Sequence, residues 1–250
     1  MLKSFLNLNV RLSNMTTPCG LFDARAYKIF DWVAPALIRD RGVKSIIDIG
    51  AGRTWHFGAR IKAECGFKLI GVDDDGDELA LNPQLDERVV ADASKNLGVA
   101  DGSVDLVLSR ATIEHVPDNA GLIAATFRAL RPGGRYALVF TNRWAPPALL
   151  NQMMPNWLAR RLLYALVPGS RGYQGFVTHY DLCLHSEYKQ ALIKQGFNVE
   201  YEYNSYYASS YWQFFLPLHM LSIAFDFLRM LTGSRNLSSQ CVFVAVKPEA

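Results

Sequence analysis

The chain has 250 residues, half of them apolar and a fifth charged, and its formal net charge is +3. That length supports one α/β domain with insertions and a core that needs no disulfides, and the composition excludes extended disorder. So small a net charge does not by itself argue for a nucleic-acid partner, since such domains usually carry a concentrated basic face, and nucleic acid is not the expected partner.

The opening segment, MLKSFLNLNVRLSNM, interrupts its apolar residues with Asn and Arg and offers no small-residue cleavage site, so it does not read as a secretory signal. Residues 1–42 are expected to be helical, most clearly over Ala24–Arg39. Strands follow at Ser45–Ile49, Lys68–Val72, Arg88–Ala91, Val104–Ser109 and Arg135–Phe140, with helices at Trp55–Cys65 and Gly121–Leu130 between them. Short apolar strands alternating with helices predict a parallel sheet covered on both faces. From Arg143 to Tyr180 the pattern shifts to Pro, Met, Trp and Arg at irregular helical spacing, which predicts a cap over the carboxyl edge of the sheet. A helix over Ser186–Gln195 should stop at Gly196, and strands at Asn198–Tyr203 and Gln240–Val246 close the chain. The four cysteines are scattered, with no Cys-x-x-Cys pair and no zinc-ligand spacing, so no metal is expected and a reducing cytoplasm suits them.

The first strand runs through Asp48-Ile49-Gly50-Ala51-Gly52 into a helix, a turn in which glycine lets backbone approach a ligand closely. The dinucleotide fingerprint needs a third glycine where this chain has Trp55, which counts against nicotinamide or flavin. Asp48-x-Gly50-x-Gly52 instead resembles the first motif of class I S-adenosylmethionine (SAM)-dependent methyltransferases, of the type 11 kind, over roughly Val43 to Asn142. Later matches keep that family's order: Gly71-Val72-Asp73, Ala91-Asp92-Ala93, Asp101-Gly-Ser-Val-Asp105, Ile113-Glu114-His115-Val116 and Leu130-Arg-Pro132-Gly133-Gly134.

The resemblance implies a Rossmann-like α/β fold of seven strands, the last antiparallel and set between the fifth and sixth, with SAM as cofactor. It gives Asp48, Gly50 and Gly52 to the cofactor turn, Asp73 to the ribose hydroxyls, Asp92 to the adenine, and Arg110 to the cofactor side of the fourth strand. Thr54 stands where the family often has a third glycine. Ser109-Arg110-Ala111-Thr112 stands where enzymes that methylate base amino groups carry an Asn/Asp-Pro-Pro-aromatic motif, which disfavours that chemistry. Methyl transfer from a sulfonium is mainly a matter of positioning, so no catalytic residue is obligatory. For a hydroxyl acceptor a base near neutral pKa would help, and His115 and His179 are the candidates, each also readable as a structural histidine.

Thr178-His179-Tyr180 followed by a helix and Gly196-Phe197 resembles the back half of bacterial methyltransferases of cell-surface glycan and lipid assembly. The acceptor is therefore expected to be a small molecule, a lipid-linked intermediate or a glycan, methylated on oxygen. A SAM-binding scaffold without chemistry and an RNA methyltransferase stay open as alternatives. Between the last two strands, Asn204–Ser239 is long and apolar, with no charge until Asp226. Both flanking strands belong to one sheet, so a single membrane span is excluded, and three covers stay open: a peripheral membrane contact at the inner face, a hydrophobic lid, or a homodimer surface.

Overall fold

In the computed structural model, residues 2–20, 24–40, 42–166 and 177–249 are described. Seven strands form one sheet: β1 Ser45–Ile49, β2 Lys68–Asp73, β3 Glu87–Val90, β4 Val104–Arg110, β5 Leu130–Thr141, β6 Asn198–Ser205 and β7 Gln240–Val246. Their order is β3-β2-β1-β4-β5-β7-β6, and β7 alone runs antiparallel to its neighbours, between β5 and β6. The order reverses between β1 and β4, so their carboxyl ends diverge into a crevice, the usual ligand position in an open α/β sheet.

The helices that cover the sheet are α2 Ala26–Asp40, α3 Gly58–Cys65, α4 Gly76–Ala80, α5 Asn119–Ala129 and α8 His185–Gln195. One face buries Phe30, Ala34 and Ile38 of α2 against Ile46, Leu106, Val139 and Val244. The other packs Leu122, Ile123, Tyr188 and Leu192 on Ile47, Val107, Leu138 and Phe243. Strands buried on both faces explain why β1, β4, β5 and β7 read as apolar runs with no alternation.

Several boundaries differ from the sequence expectation for local reasons. Helix α3 starts at Gly58 because Trp55 turns into the core, 5.1 Å edge-on to Phe57. Helix α5 starts at Asn119 because Asp118 caps it, accepting from the Gly121 amide at 2.8 Å. Strand β5 starts at Leu130, since Pro132-Gly133-Gly134 does not leave the sheet: the Gly133 amide donates to the Lys247 carbonyl at 2.9 Å. As expected, α8 ends at Gly196, left-handed at φ 106°.

Outside the sheet lie α1 Leu2–Thr16, α6 Pro146–Met153, α7 Asn156–Leu166 and α9 Leu216–Leu231. Helices α6 and α7 fall within the 143–180 segment expected as a cap, of which residues 167–176 lie outside the described residues. Helix α9 lies in the apolar insertion, and α1 packs along it through Asn9, whose side-chain oxygen accepts from the Leu216 amide at 2.9 Å.

Candidate functional site

The β1–α3 turn is built around two glycines with different tasks. Gly50 has φ 71°, and a Cβ there would stand 2.2 Å from Thr112 Oγ1. Thr112 closes that side of the turn, donating to the Ile49 carbonyl at 3.1 Å. Gly52, at φ 48°, faces open space: a Cβ there would meet no atom within 4 Å, so the turn leaves a cradle that a ligand can fill. Buried Asn82 donates its side-chain amide to the carbonyls of Ala51 and Gly52 at 3.3 and 3.2 Å, holding the turn from behind.

Asp48 and Asp73 stand at this crevice on adjacent strands. Burial first, then the charge of Asp73, push the Asp48 carboxyl up to about 7, against the opposing pull of Arg110. Asp73 accepts from the Gly52 amide and the Asp75 amide, each at 3.0 Å, so its carboxylate is oriented by backbone and keeps lone pairs for further donors. Burial raises its pKa, with the two amides opposing. Asp92 lies past the end of β3 and accepts from the Ser94 amide and hydroxyl at 3.0 and 2.6 Å, with Lys95 at 3.0 Å. These hydrogen bonds hold its pKa low and shape the turn after β3.

Arg110 reaches back to α2. Its Nε donates to Asp31 at 3.1 Å and its guanidinium lies 4.9 Å from the Tyr27 ring centroid. Asp31 also meets His56 at 2.9 Å, and these partners outweigh burial to lower its pKa. The structure thus brings Asp48, Gly50, Gly52, Asp73 and Arg110 to one region, with Asp92 at the neighbouring strand end.

Glu114 lies in the short helical turn Ile113–His115 after β4. It is buried, its Oε1 accepts from the Thr141 amide at 3.4 Å, and its Oε2 has no hydrogen-bond partner. Burial raises its pKa, against the nearby His115. Three tyrosines gather near it. Tyr27 shares a hydrogen bond with Thr141 and is raised by burial and then by Glu114. Tyr180 is pushed up to about 12 by burial, despite a hydrogen bond to Asn151. Tyr211 is half exposed, and burial and then Glu114 raise its pKa.

The Glu114 carbonyl accepts from the His179 and Tyr180 amides at 2.9 and 3.1 Å, which ties the Thr178–Tyr180 segment to β4. Of the two histidines, His115 is half-buried, with Nδ1 2.7 Å from the Val177 carbonyl, so its tautomer is set by the chain. The His179 side chain is exposed. Sequence alone assigns Glu114 no proton and does not single out Tyr27 or Tyr211; a buried acid with a free oxygen has no signature in sequence.

Next to Tyr211, Trp212 forms part of an apolar cavity of about 890 Å³ between α6 and α9, lined also by Trp144, Leu149, Phe225 and Leu228. Among the described residues there is no cluster of His, Cys, Asp and Glu that could hold a metal.

Comparison with known proteins gives a consistent picture. Residues 47–138 match a family model described as a methyltransferase domain. An uncharacterized methyltransferase of Mycobacterium sp. (strain JLS) is 35% identical over 130 residues, 51% of this chain and 50% of that protein. The chain spans about half the length of the curated relatives it matches. Among solved structures, a SAM-dependent methyltransferase from Mesorhizobium loti superposes with a TM-score of 0.53 at 20% identity, covering 87% of this chain and 97% of that one. The cyclase SpnF superposes with a TM-score of 0.55 at 18% identity, covering 89% and 82%. The architecture is the Rossmann-like α/β fold of SAM-dependent methyltransferases.

Proposed function

We propose that this chain is a SAM-dependent methyltransferase that acts on a hydroxyl of an amphiphilic acceptor, a small molecule or a lipid-linked intermediate. The observation that carries the cofactor assignment is the convergence of Asp48, Asp73 and the open cradle at Gly52 on one crevice. Bound there, SAM supplies an electrophilic methyl group on a positively charged sulfur. Asp73, oriented by two backbone amides, is placed to accept from ribose hydroxyls, and Asp48 supplies negative charge near the cationic methionine end. Asp92 marks the adenine side of the crevice.

For the acceptor, the free Oε2 of Glu114 is a buried proton acceptor among tyrosine hydroxyls, suited to hold and receive the proton of an attacking hydroxyl. His115, one residue on, is the second candidate for that proton, and His179 the third. The apolar cavity beside Tyr211 and Trp212 suits a hydrocarbon portion better than a free sugar, because its lining offers few polar groups. A glycan acceptor fits only where the sugar is carried on such an apolar portion.

The test uses SAM labelled on its methyl group, incubated with the full chain and with separated lipid and aqueous fractions of a cell extract. A labelled product that extracts into organic solvent and resists mild base is expected, as for an ether. Label in RNA would favour the nucleic-acid alternative, and SAM binding with no labelled product from any fraction would favour a scaffold role.

A further inference from the structure

Helix α9 is inverted relative to a surface helix of a water-soluble domain. Its buried stripe is His219, Ile223, Asp226 and Arg229, three of four positions polar, whereas Leu221, Phe225, Leu228 and Leu231 face outward. Leu221 and Leu231 keep 67% and 78% of their surface exposed. The inward groups find partners within the fold: the Arg229 terminal nitrogens donate to Asp226 at 2.5 Å and to the Tyr206 carbonyl at 2.7 Å, and His219 meets Thr17 and the Ser209 carbonyl, each at 2.9 Å.

Helix α1 repeats the inversion from the other side of the same contact. Asn9 and Ser13 within it and Thr17 just beyond it are buried against α9 and the segment before it, while Phe5, Leu8, Leu12 and Met15 are exposed. Two adjacent helices thus share polar groups inward and present apolar residues outward, the reverse of what water selects. Across the cavity, α6 adds exposed Leu149, Leu150 and Met153.

The charges around this face have one sign. Lys3 and Arg11 on α1 are exposed, and α1, α6 and α9 contain one acid, Asp226, which is buried. A second copy docked face to face would gather the Lys3 and Arg11 cations of both copies at one interface with no exposed acid from these helices to offset them. An anionic surface answers both features. We propose that α1 and α9, with α6 across the cavity from α9, dock in the plane of a bilayer containing anionic phospholipid, with the cations at the headgroups and the apolar residues below them. Among the described residues no helix is long and apolar enough to cross a membrane, so the contact lies along one surface.

The experiment is co-sedimentation of the full chain with vesicles of equimolar phosphatidylglycerol and phosphatidylcholine, and with phosphatidylcholine alone. The chain is expected to sediment with the anionic vesicles, and less so as salt rises. Leu221→Glu with Leu231→Glu should lower partitioning at least about tenfold, and Lys3→Glu with Arg11→Glu roughly fivefold or more per site, with unfolding midpoints unchanged. The charge pair keeps the test decisive if the leucine pair folds poorly. Failure of the unmodified chain to bind anionic vesicles overturns the proposal. So does equal binding to neutral vesicles, or undiminished binding by both pairs of variants. A dimer in sedimentation velocity that the leucine changes dissociate, without vesicle binding, would give the face to a second copy instead.

Discussion

Asp226 and Arg229 form an ion pair at 2.5 Å, one helical turn apart, with 1% and 5% of their surfaces exposed. Asp226 Oδ2 also accepts from the Ala208 and Ser209 amides at 2.9 and 3.0 Å, and Arg229 reaches the Leu237 carbonyl at 3.1 Å. The pair therefore does for α9 what apolar packing does for most helices: it fixes which side faces the fold.

Removing one partner should be costly, because the other would stay buried and unpaired. Asp226→Ala is expected to destabilise by about 3–5 kcal/mol, whereas Asp226→Leu with Arg229→Met should recover only the part due to the stranded charge, because the Ala208 and Ser209 amides still lose their acceptor. Urea unfolding followed by tryptophan fluorescence measures both. A loss below about 1 kcal/mol for Asp226→Ala would show that the pair does not hold the helix.

At the cofactor turn, Gly50→Val combines a strained φ of 71° with a Cβ 2.2 Å from Thr112 Oγ1. It should eliminate detectable SAM binding in calorimetry and cost roughly 1–3 kcal/mol of stability from backbone strain alone. Asp73→Ala should weaken SAM by about 1.5–3 kcal/mol, the range for hydrogen bonds to a charged group. Full affinity in both variants would place the cofactor elsewhere.

The Asp48 carboxyl, pushed up to about 7, makes SAM affinity pH-dependent in a defined direction. The carboxylate favours a cation, so affinity should rise with pH through about 7 and level off above it, and fall as the pH drops below. Asp48→Asn should flatten that profile and lie near the acid limit. A profile that rises toward low pH would contradict the role.

Glu114→Gln keeps the side-chain shape and removes the proton acceptor. Product formation is expected to fall about 100-fold or more with SAM affinity unchanged. Burial raises the folded-state pKa of Glu114 above its unfolded value, so its relative stability is complete below the unfolded pKa and is lost as pH rises toward the folded one. Gln carries no such penalty, and the variant should therefore unfold at a higher temperature than the unmodified chain at pH 8. If His115→Ala abolishes turnover while Glu114→Gln retains it, the proton goes to the histidine.

The strands and the glycine turn after β1 were legible in the sequence because both depend on local patterns, whereas the order of the strands came only through the resemblance to class I methyltransferases. Apolar runs of five to seven residues at β1, β2, β4 and β7 read as buried strands, and Asp48-x-Gly50-x-Gly52 marks a turn that only small residues tolerate. The length and greasiness of Asn204–Ser239 were equally plain, but the direction its residues face was not. Hydropathy alone assigns Leu221 and Leu231 to a covered side, and the fold turns them outward because His219 meets Thr17 at the other end of the chain while Asp226 and Arg229 find partners outside the helix at Ala208, Tyr206 and Ser239. The same holds for Glu114: its neighbours Tyr27, Thr141, Tyr180 and Tyr211 come from four separate segments. Local sequence determines which elements form, through steric and burial preferences of period two or 3.6. Which polar group meets which, and so which side of a helix is left for water or lipid, is decided only when distant segments pack.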